Sequence, residues 1–314
     1  MGLVDYIKIL FTILNVVGIG ANGILLIILI RMKKVKRISE DAAVVLMNQA
    51  IIDLIISSLA IFYNFAEVSW MPDIFGEFEW IRLIICMGVY TQFPYWAAYC
   101  ISVFNDVLLA VERFFAVVFP FNQRKFHSLI PGILFLLYTI NTVFNFPVMF
   151  YNDYDYQSQG CFARHFNGIF IIMRYYGVFW VIIYFILPII LFLFFNGLTV
   201  KKLMKKNKAF KEQGGNAVRN PAEERKSKAA MMIVKISILL AVSYAFWMSF
   251  KNIYYFITSI TGIYLANYEI MTLIGVGLAN VYFISKPLIV FGLLPGVKRF
   301  CASWWTSTTQ SGSV

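Results

Sequence analysis

The chain has 314 residues, of which 60% are hydrophobic and only 14% are charged. This composition is typical of a protein whose main solvent is lipid, and it excludes an ordinary water-soluble domain. The net charge of +11 suits anionic lipid headgroups or an acidic protein partner. It gives no reason to expect nucleic acid binding, because the basic residues lie in loops between apolar segments.

Seven apolar segments follow one another along the chain, each long enough to cross a bilayer as a helix, which takes about 20 residues. Four contain no charged residue: 9–30, 83–105, 129–152 and 175–200. Three contain isolated charges: 42–66 with Asp53, 233–260 with Lys235 and Lys251, and 270–291 with Lys286. Only helices and closed barrels satisfy backbone hydrogen bonds in hydrocarbon, and these runs do not alternate as barrel strands do. The sequence therefore predicts an all-α integral membrane protein with a bundle of seven transmembrane helices.

We predict one domain over residues 1–302, followed by a cytoplasmic tail at 303–314. Its expected helices are at about 6–32, 41–66, 80–118, 128–151, 170–206, 223–261 and 267–292, with a short amphipathic helix at about 295–303. The first segment is too long for a signal-peptide core and lacks a basic region before it, so we expect it to remain as an anchor. No internal repeat is visible, which weighs against transporters built from duplicated halves.

The basic residues predict the orientation, because Lys and Arg of short loops stay on the cytoplasmic side. They follow the first, third and fifth segments: Arg31, Lys33, Lys34, Lys36, Arg37, Arg124, Lys125 and a dense set over 201–228. The opposite loops are acidic and form a rim that attracts basic ligands: Glu67, Asp73, Glu77, Glu79, Asp153, Asp155 and Glu269. We therefore expect a multi-pass protein of the plasma membrane with an extracellular N-terminus.

Two of the four cysteines lie on the predicted extracellular side, where disulfides form. A bridge between Cys86 and Cys161 is therefore chemically allowed, the alternative being two free thiols. Cys100 lies in the middle of a helix and is expected to be packed. Cys301 follows a basic stretch just after the last segment, where it is a candidate for palmitoylation or remains a free thiol.

Short motifs occur in a characteristic order along these segments. They are Gly-Ala-Asn-Gly at 20–23, Asn-Gln-Ala-Ile-Ile-Asp-Leu at 48–54, Val-Glu-Arg-Phe-Phe-Ala-Val-Val-Phe-Pro at 111–120, Pro147, Pro188, Trp247, Phe250 and Pro287. Their order and spacing resemble the rhodopsin-like (class A) G protein-coupled receptors over residues 5–302. The resemblance implies a receptor, not an enzyme, with a heterotrimeric G protein and arrestin as partners.

Two departures from that family indicate a divergent branch. Residues 246–249 read Phe-Trp-Met-Ser where the family has Cys-Trp-x-Pro, so the kink proline is missing and another element is expected to bend helix six. Residues 286–290 read Lys-Pro-Leu-Ile-Val where the family has Asn-Pro-x-x-Tyr. With the short N-terminal segment, these changes favour a chemosensory-type receptor.

The resemblance also implies site residues. Glu112 and Arg113, with Asn196, would form the G protein switch. An aromatic ligand cavity would be lined by Tyr95, Trp247, Phe250, Lys251, Tyr254 and Asn280. Tyr95 stands where amine receptors have an aspartate and Asn280 stands where opsins have the retinal lysine, so both ligand classes are disfavoured. Lys251 would bind an anionic group of the ligand, or would extend its ammonium to the extracellular interface.

Three charges lie deep in the predicted bundle: Asp53, Asp106 and Lys286. Charges are costly in the membrane unless they are paired, so we expect these three to compensate one another. In resembling receptors the helix-two acid often binds sodium, so Lys286 would replace that ion between the two carboxylates. The alternative is that Lys286 points elsewhere and is partly deprotonated.

The leading functional hypothesis is a receptor that binds an extracellular peptide or small chemical and activates a G protein. A transporter or channel that uses Asp53, Asp106 and Lys286 as an ion relay is the rival, and a non-signalling decoy receptor is a third possibility. No catalytic constellation is visible, because His127 and His165 fall on opposite sides of the membrane. We expect no cofactor and no metal site.

Overall fold

A computed structural model describes residues 2–34, 40–65, 80–81, 84, 87–88, 91–155, 160–163, 175–212, 221–261 and 268–293. It confirms the predicted bundle of seven helices. They are α1 (Leu3–Lys34), α2 (Glu40–Phe65), α3 (Phe93–Val118), α4 (Gln123–Asn145), α5 (Leu187–Glu212), α6 (Pro221–Thr261) and α7 (Tyr268–Leu293). The expected short helix at 295–303 lies outside the described residues.

Six helical stretches among the described residues are long and apolar enough to cross a membrane. Their outward faces carry exposed apolar side chains, among them Phe135, Leu193 and Phe246, which are 74%, 70% and 68% exposed. In water such a surface would be unfavourable, but in lipid it is the expected outside of a helix bundle. Helix α3 is not among these six, and most of its residues are buried in the described bundle.

Helix α3 is the centre of the bundle. It packs against α2, α4, α5 and α6, while α1 packs against α2 and α7. All six residues from 105 to 110 are buried. Successive residues of a helix point about 100° apart, so a run of this length covers every face of α3. The charged residues of α3 are therefore held in the protein interior, and not at its lipid surface.

The start of α3 differs from the sequence prediction of a helix at 80–118. Residues 80–81 and 84 are helical, but Thr91 and Gln92 form a turn and α3 begins only at Phe93. Gln92 has φ = 53°, the left-handed conformation that interrupts a right-handed helix. Pro94 follows in the first helical turn, where its missing N–H costs no hydrogen bond.

A second proline ends α4 earlier than the predicted residue 151. The helix stops at Asn145, and residues Phe146–Tyr151, which include Pro147, form a tighter 3₁₀ helix. Pro147 has no N–H to donate to the carbonyl of Val143. The N–H of Phe146 donates to that carbonyl from three residues away, as in a 3₁₀ helix. A short antiparallel hairpin follows, with strands β1 (Asn152–Asp155) and β2 (Gly160–Ala163).

Helix α5 is preceded by a helical segment at 175–181 and a π-helical turn at Ile182–Ile186. Pro188 has no N–H to donate to the carbonyl of Tyr184, four residues earlier. The hydroxyl of Tyr244 on α6 donates to that carbonyl instead. Helix α6 itself is continuous over Pro221–Thr261. The sequence predicts a bend in helix six, whereas the π-helical turn that the structure shows lies just before α5.

Helix α1 is fixed on α7 by a close ring contact. The Phe11 side chain is buried and lies where a Cβ of residue 277 would be. Only glycine fits at Gly277 without moving the ring, and this brings the two helix backbones close together. The contact closes the bundle between its first and last helices.

Candidate functional site

Lys286 of α7 lies between two carboxylates in the middle of the bundle. Its Nζ is 2.6 Å from Oδ2 of Asp106 on α3 and 3.4 Å from Oδ1 of Asp53 on α2. All three residues are at most 3% exposed. Opposite charges at these distances and at this burial interact strongly. The structure therefore brings the three predicted charges together in one cluster that joins three helices.

Neutral side chains complete the bonding of this cluster. Lys286 Nζ also donates to Ser102 Oγ at 2.7 Å, and that hydroxyl donates to Asp53 Oδ1 at 2.8 Å. The amide of Gln49 donates to both Asp53 oxygens, at 3.0 and 3.1 Å. The ammonium thus has three acceptors for its three N–H groups, as a buried lysine requires.

Asp106 accepts a second strong hydrogen bond from α7. The Tyr282 hydroxyl donates to Oδ2 at 2.6 Å, the same oxygen that Lys286 contacts. Tyr282 is fully buried and lies one turn before Lys286 on the same face of the helix. Helix α7 therefore holds Asp106 through a neutral donor as well as through a charge.

The hydrogen bonds continue from Gln49 to α4. Gln49 Oε1 accepts from Asn105 Nδ2 at 2.5 Å, and Asn105 Oδ1 accepts from Asn48 Nδ2 at 3.2 Å. Asn48 Oδ1 accepts from the Tyr138 hydroxyl at 2.8 Å. Tyr138 stands at the position where resembling receptors have tryptophan, and here it ties the surface of α4 to the polar centre of the bundle.

Sequence reasoning missed the three neutral partners Gln49, Ser102 and Tyr282. A signal was available, because a polar residue of the cluster stands four residues before each of its charged residues: 49 and 53, 102 and 106, 282 and 286. Residues four apart on a helix are neighbours on one face. That spacing would have predicted these side chains beside the charges.

A small cavity adjoins the cluster. Its volume of about 20 Å³ leaves room for about one water molecule. Asn22, Asp53, Asp106 and Lys286 line it, together with apolar side chains such as Leu25. Asp106 Oδ1 and Asn22 Oδ1 have no hydrogen-bond partner among the described residues. The cavity is therefore polar on one side and small enough to suit a single water or ion.

A second ionic site lies at the C-terminal end of α3. Arg113 Nε is 3.1 Å from Oε2 of Glu112, whose side chain is 1% exposed. Asn196 is buried at 5% exposure on α5, which packs against α3. Neighbouring residues on a helix seldom face each other. The side chains of Glu112 and Arg113 must therefore bend towards one another to form this pair.

Two of the predicted ligand residues are bonded to each other. The Tyr95 hydroxyl donates to Asn280 Oδ1 at 2.8 Å, and both residues are buried. This bond joins α3 to α7 about seven residues N-terminal to Ser102 on α3. Asn280, which the resemblance places where opsins have the retinal lysine, thus takes part in a polar contact between two helices.

The ammonium of Lys251 lies in a box of aromatic rings that the sequence did not reveal. Its Nζ is 3.4 Å from the ring centroid of Trp96, 4.6 Å from that of Tyr99 and 4.7 Å from that of Trp180. The nitrogen is buried, so the alternative in which it extends to the extracellular interface is wrong. The aromatic composition of 18% gave no reason to single out these three rings.

The other aromatic candidates on α6 lie on different faces. Trp247 and Tyr254 are partly buried. Phe250 is 38% exposed and shares its face with Phe246, Ile253 and Ile257, which are 68%, 54% and 42% exposed. Spacings of three, four and seven residues define one side of a helix, and here it is the outer side. The prediction that Phe250 lines the ligand cavity is therefore wrong. It rested on the corresponding position in the family and did not consider which side of α6 the residue lies on.

The predicted disulfide and the lipidation candidate fall where no side chain is described. Cys86 and Cys301 lie outside the described residues, and only the backbone of Cys161 is described, in β2. Cys100 is buried and free, and its Sγ is 3.8 Å from Oδ1 of Asn145. The bridge and the palmitoylation stay predictions.

Comparison with known families matches residues 21–281 to the model of the seven-transmembrane receptors of the rhodopsin family. No individual curated protein matches the sequence significantly. The matched stretch includes Asp53, Asp106, the Glu112–Arg113 pair and the aromatic box, and it ends before Lys286. These features can therefore be interpreted on a family framework, but not through a close relative.

Proposed function

Because this chain belongs to the rhodopsin family of seven-transmembrane receptors, we propose that it converts the binding of an extracellular ligand into activation of a heterotrimeric G protein. The family is one of receptors and not of enzymes, and the chain is a multi-pass membrane protein. The observation that supports coupling best is the Glu112–Arg113 pair, with 3.1 Å between Arg113 Nε and Glu112 Oε2. In this proposal the receptor lies in the plasma membrane with its N-terminus outside the cell.

The ligand acts by shifting a population between two helix packings. Only a ligand with different affinities for the two packings can do this. In the packing described here, Arg113 is paired with Glu112 on its own helix. In the active packing Arg113 leaves that pair and contacts the G protein, with Asn196 of α5 beside it. Arrestin binds the same packing at the same face.

The basic ends of the helices suit the proposed cytoplasmic partners. Arg31, Lys33 and Lys34 lie in the last turn of α1. Lys201, Lys202, Lys205 and Lys208 lie near the end of α5 and, where described, are exposed. Such clusters attract anionic lipid headgroups and an acidic protein surface over about a Debye length. Both the membrane and the G protein would be held at this face.

The proposed ligand is a peptide or a small chemosensory molecule, bound between the N-terminal half of α3 and the helices α5, α6 and α7. Tyr95, Trp247, Lys251, Tyr254 and Asn280 are the proposed contacts. Phe250 is left out because it lies on the exposed face of α6. The aromatic rings supply apolar surface, and Lys251 and Asn280 supply the few polar groups that orient a ligand.

An ion relay through Asp53, Asp106 and Lys286 is the second candidate, since these charges do lie together. Its weakness is that Lys286 already contacts Asp53, Asp106 and Ser102. A relay needs weak, exchangeable binding at successive sites. A cluster with this many bonds is better suited to hold three helices in register.

Nucleotide exchange on purified G proteins separates these functions. The receptor is reconstituted in lipid nanodiscs, and GTP binding is measured without ligand on one heterotrimer of each G protein class. We expect at least one class to be accelerated by wild type and not by Arg113→Gln. Lys8→Gln, which removes one positive charge at the opposite end of α1, is the control and retains the acceleration.

Two other outcomes would contradict the proposal. Ion flux in liposomes without nucleotide exchange would support the relay. Neither flux nor exchange, in a receptor that still binds ligand, would support a decoy. Acceleration that survives Arg113→Gln would show that the proposed switch residue is wrong.

A further inference from the structure

Among the described residues, Lys286 and Lys251 have buried ammonium groups with opposite surroundings. Lys286 contacts two carboxylates and a hydroxyl. Lys251 Nζ has no hydrogen-bond partner among the described residues, although the nitrogen is buried. A buried charge without a partner is unfavourable, and removing it often makes a protein more stable. Lys286 is a structural lysine whose charge is compensated by carboxylates and a hydroxyl. Lys251 has no such compensation among the described residues.

The box around Lys251 compensates its charge only in part. The faces of Trp96, Tyr99 and Trp180 attract a cation, with Nζ 3.4–4.7 Å from their centroids. Ring faces are weak hydrogen-bond acceptors, however, so the three N–H donors of the ammonium remain without strong bonds. The site provides a positive charge and donors, and the described residues offer no acceptor for them.

The backbone of the neighbouring helix leaves space for the lysine stem. A Cβ on Gly275 of α7 would lie 3.2 Å from Cβ and 3.3 Å from Cγ of Lys251. These distances are tighter than ordinary packing allows, so a side chain at residue 275 would push the lysine away. Lys251 of α6 therefore packs against α7, with its ammonium directed towards α3 and the helical segment that precedes α5.

From this arrangement we infer that the site recognises the carboxylate end of an amphipathic organic acid. The carboxylate supplies the charge and the acceptors that Lys251 lacks, and charge-assisted bonds of this kind are short and strong. The apolar body of the acid packs on the aromatic rings of the box. The same chemistry occurs in a free acid and at the C-terminus of a peptide. This inference rests on the proposed receptor function and names its ligand class.

The first test needs no ligand. The receptor and its Lys251→Met variant are unfolded thermally in nanodiscs. Since the side chain is nearly isosteric and removes a charge without a partner, we expect Tm to rise by about 2–4 °C. Lys235→Met is the matched control, because Lys235 is an exposed lysine of the same helix, and it leaves Tm unchanged. A fall in Tm for Lys251→Met would show that the aromatic box is a sufficient partner and would overturn the inference.

The second test uses pairs of acids and amides. The probes are 3-phenylpropionate and dodecanoate with their amides, and the tripeptide Gly-Gly-Phe with a free or amidated C-terminus. We expect an acid, but not its amide, to raise the Tm of wild type. The effect is lost in Lys251→Met and kept in Lys251→Arg. A response to the tripeptide alone identifies a peptide C-terminus, and a response to the other acids identifies a free acid.

Three results would overturn the ligand class: no response to any acid at millimolar concentration, equal responses to acid and amide, or an unchanged response in Lys251→Met. Ligand-free nucleotide exchange by wild type is measured in parallel. Normal exchange without an acid effect refutes only the ligand class. An acid effect that depends on Lys251, without exchange on any G protein, refutes only the proposed signalling function.

Discussion

Lys286 of α7 and Asp106 of α3 form a close ion pair, with 2.6 Å between Nζ and Oδ2. Both residues are buried, and neither could be charged there alone at low cost. Because α3 packs against four other helices, this contact ties the last helix to the centre of the bundle. We expect the stability of the receptor to depend on it.

Tyr282→Phe tests how much the neutral donor adds to this contact. The change removes the hydroxyl that donates to Asp106 at 2.6 Å and leaves the buried ring in place. A hydrogen bond to a charged group contributes about 1.5–3 kcal/mol, so we expect the free energy of unfolding to fall by that amount. Thermal unfolding in nanodiscs provides the measurement.

The control for this prediction is Tyr175→Phe. Tyr175 is 65% exposed on the segment before α5, so the loss of its hydroxyl is expected to change stability by less than about 0.5 kcal/mol. If Tyr282→Phe proves as neutral as this control, the hydroxyl of Tyr282 does not stabilise the carboxylate of Asp106.

The bundle and its charged centre follow from physical rules that a sequence displays. Apolar runs of about 20 residues predict helices because lipid offers the backbone no hydrogen-bond partner. Buried charges require compensation, and this led to the expectation that Asp53, Asp106 and Lys286 lie together. The distances of 2.6 and 3.4 Å agree with that expectation, while any role in signalling stays a prediction.

Other features depend on three-dimensional packing that one sequence does not display. The start of α3 at Phe93 follows from one left-handed residue, Gln92. The box around Lys251 is built from rings on α3 and on the helical segment before α5, which are about 80 residues apart in the chain. Nothing in the sequence distinguishes Trp96 or Trp180 from the many aromatic residues that only pack.

A predicted disulfide between Cys86 and Cys161 would tie the loop after α4 to the region before α3. We expect mass spectrometry of the non-reduced protein to detect the linked peptides, and reduction to lower the free energy of unfolding by about 2–4 kcal/mol. Cys100 serves as the internal control, because it is buried and free and should react only after unfolding. Alkylation of both Cys86 and Cys161 without prior reduction would contradict the bridge.

Basal signalling is predicted to be appreciable, because Arg113 is paired with its own neighbour and helix six offers no second acid at the expected position. Many resembling receptors carry an acid about five turns before the helix-six tryptophan, and that position is Ala229 here. We expect Ala229→Glu to lower ligand-free nucleotide exchange about 2- to 5-fold, the effect of a pair that contributes about 0.5–1 kcal/mol.

Ala230→Glu is the control for that change. Residue 230 points about 100° away from residue 229 around the helix axis, so a glutamate there is not directed to the same place. Expression and Tm are compared first, so that the variants differ only in exchange. Unchanged exchange in a normally expressed Ala229→Glu receptor would mean that the missing acid does not set basal signalling.

The last prediction concerns sodium. Lys286 is predicted to replace the sodium ion of resembling receptors, and its ammonium is 2.6 Å from Asp106 and 3.4 Å from Asp53. Its own charge should exclude a second cation, so the Tm of wild type should be equal in sodium and potassium at the same ionic strength. Lys286→Asn leaves two carboxylates beside a small cavity and should lower the free energy of unfolding by about 3–5 kcal/mol in potassium. Sodium should then restore part of that loss by binding only the folded receptor, with a dependence on its concentration that follows mass action. Lys235→Asn, at an exposed position of α6, should show neither effect. An unaltered Tm in Lys286→Asn together with no sodium response would mean that Lys286 neither pairs these carboxylates nor replaces the ion.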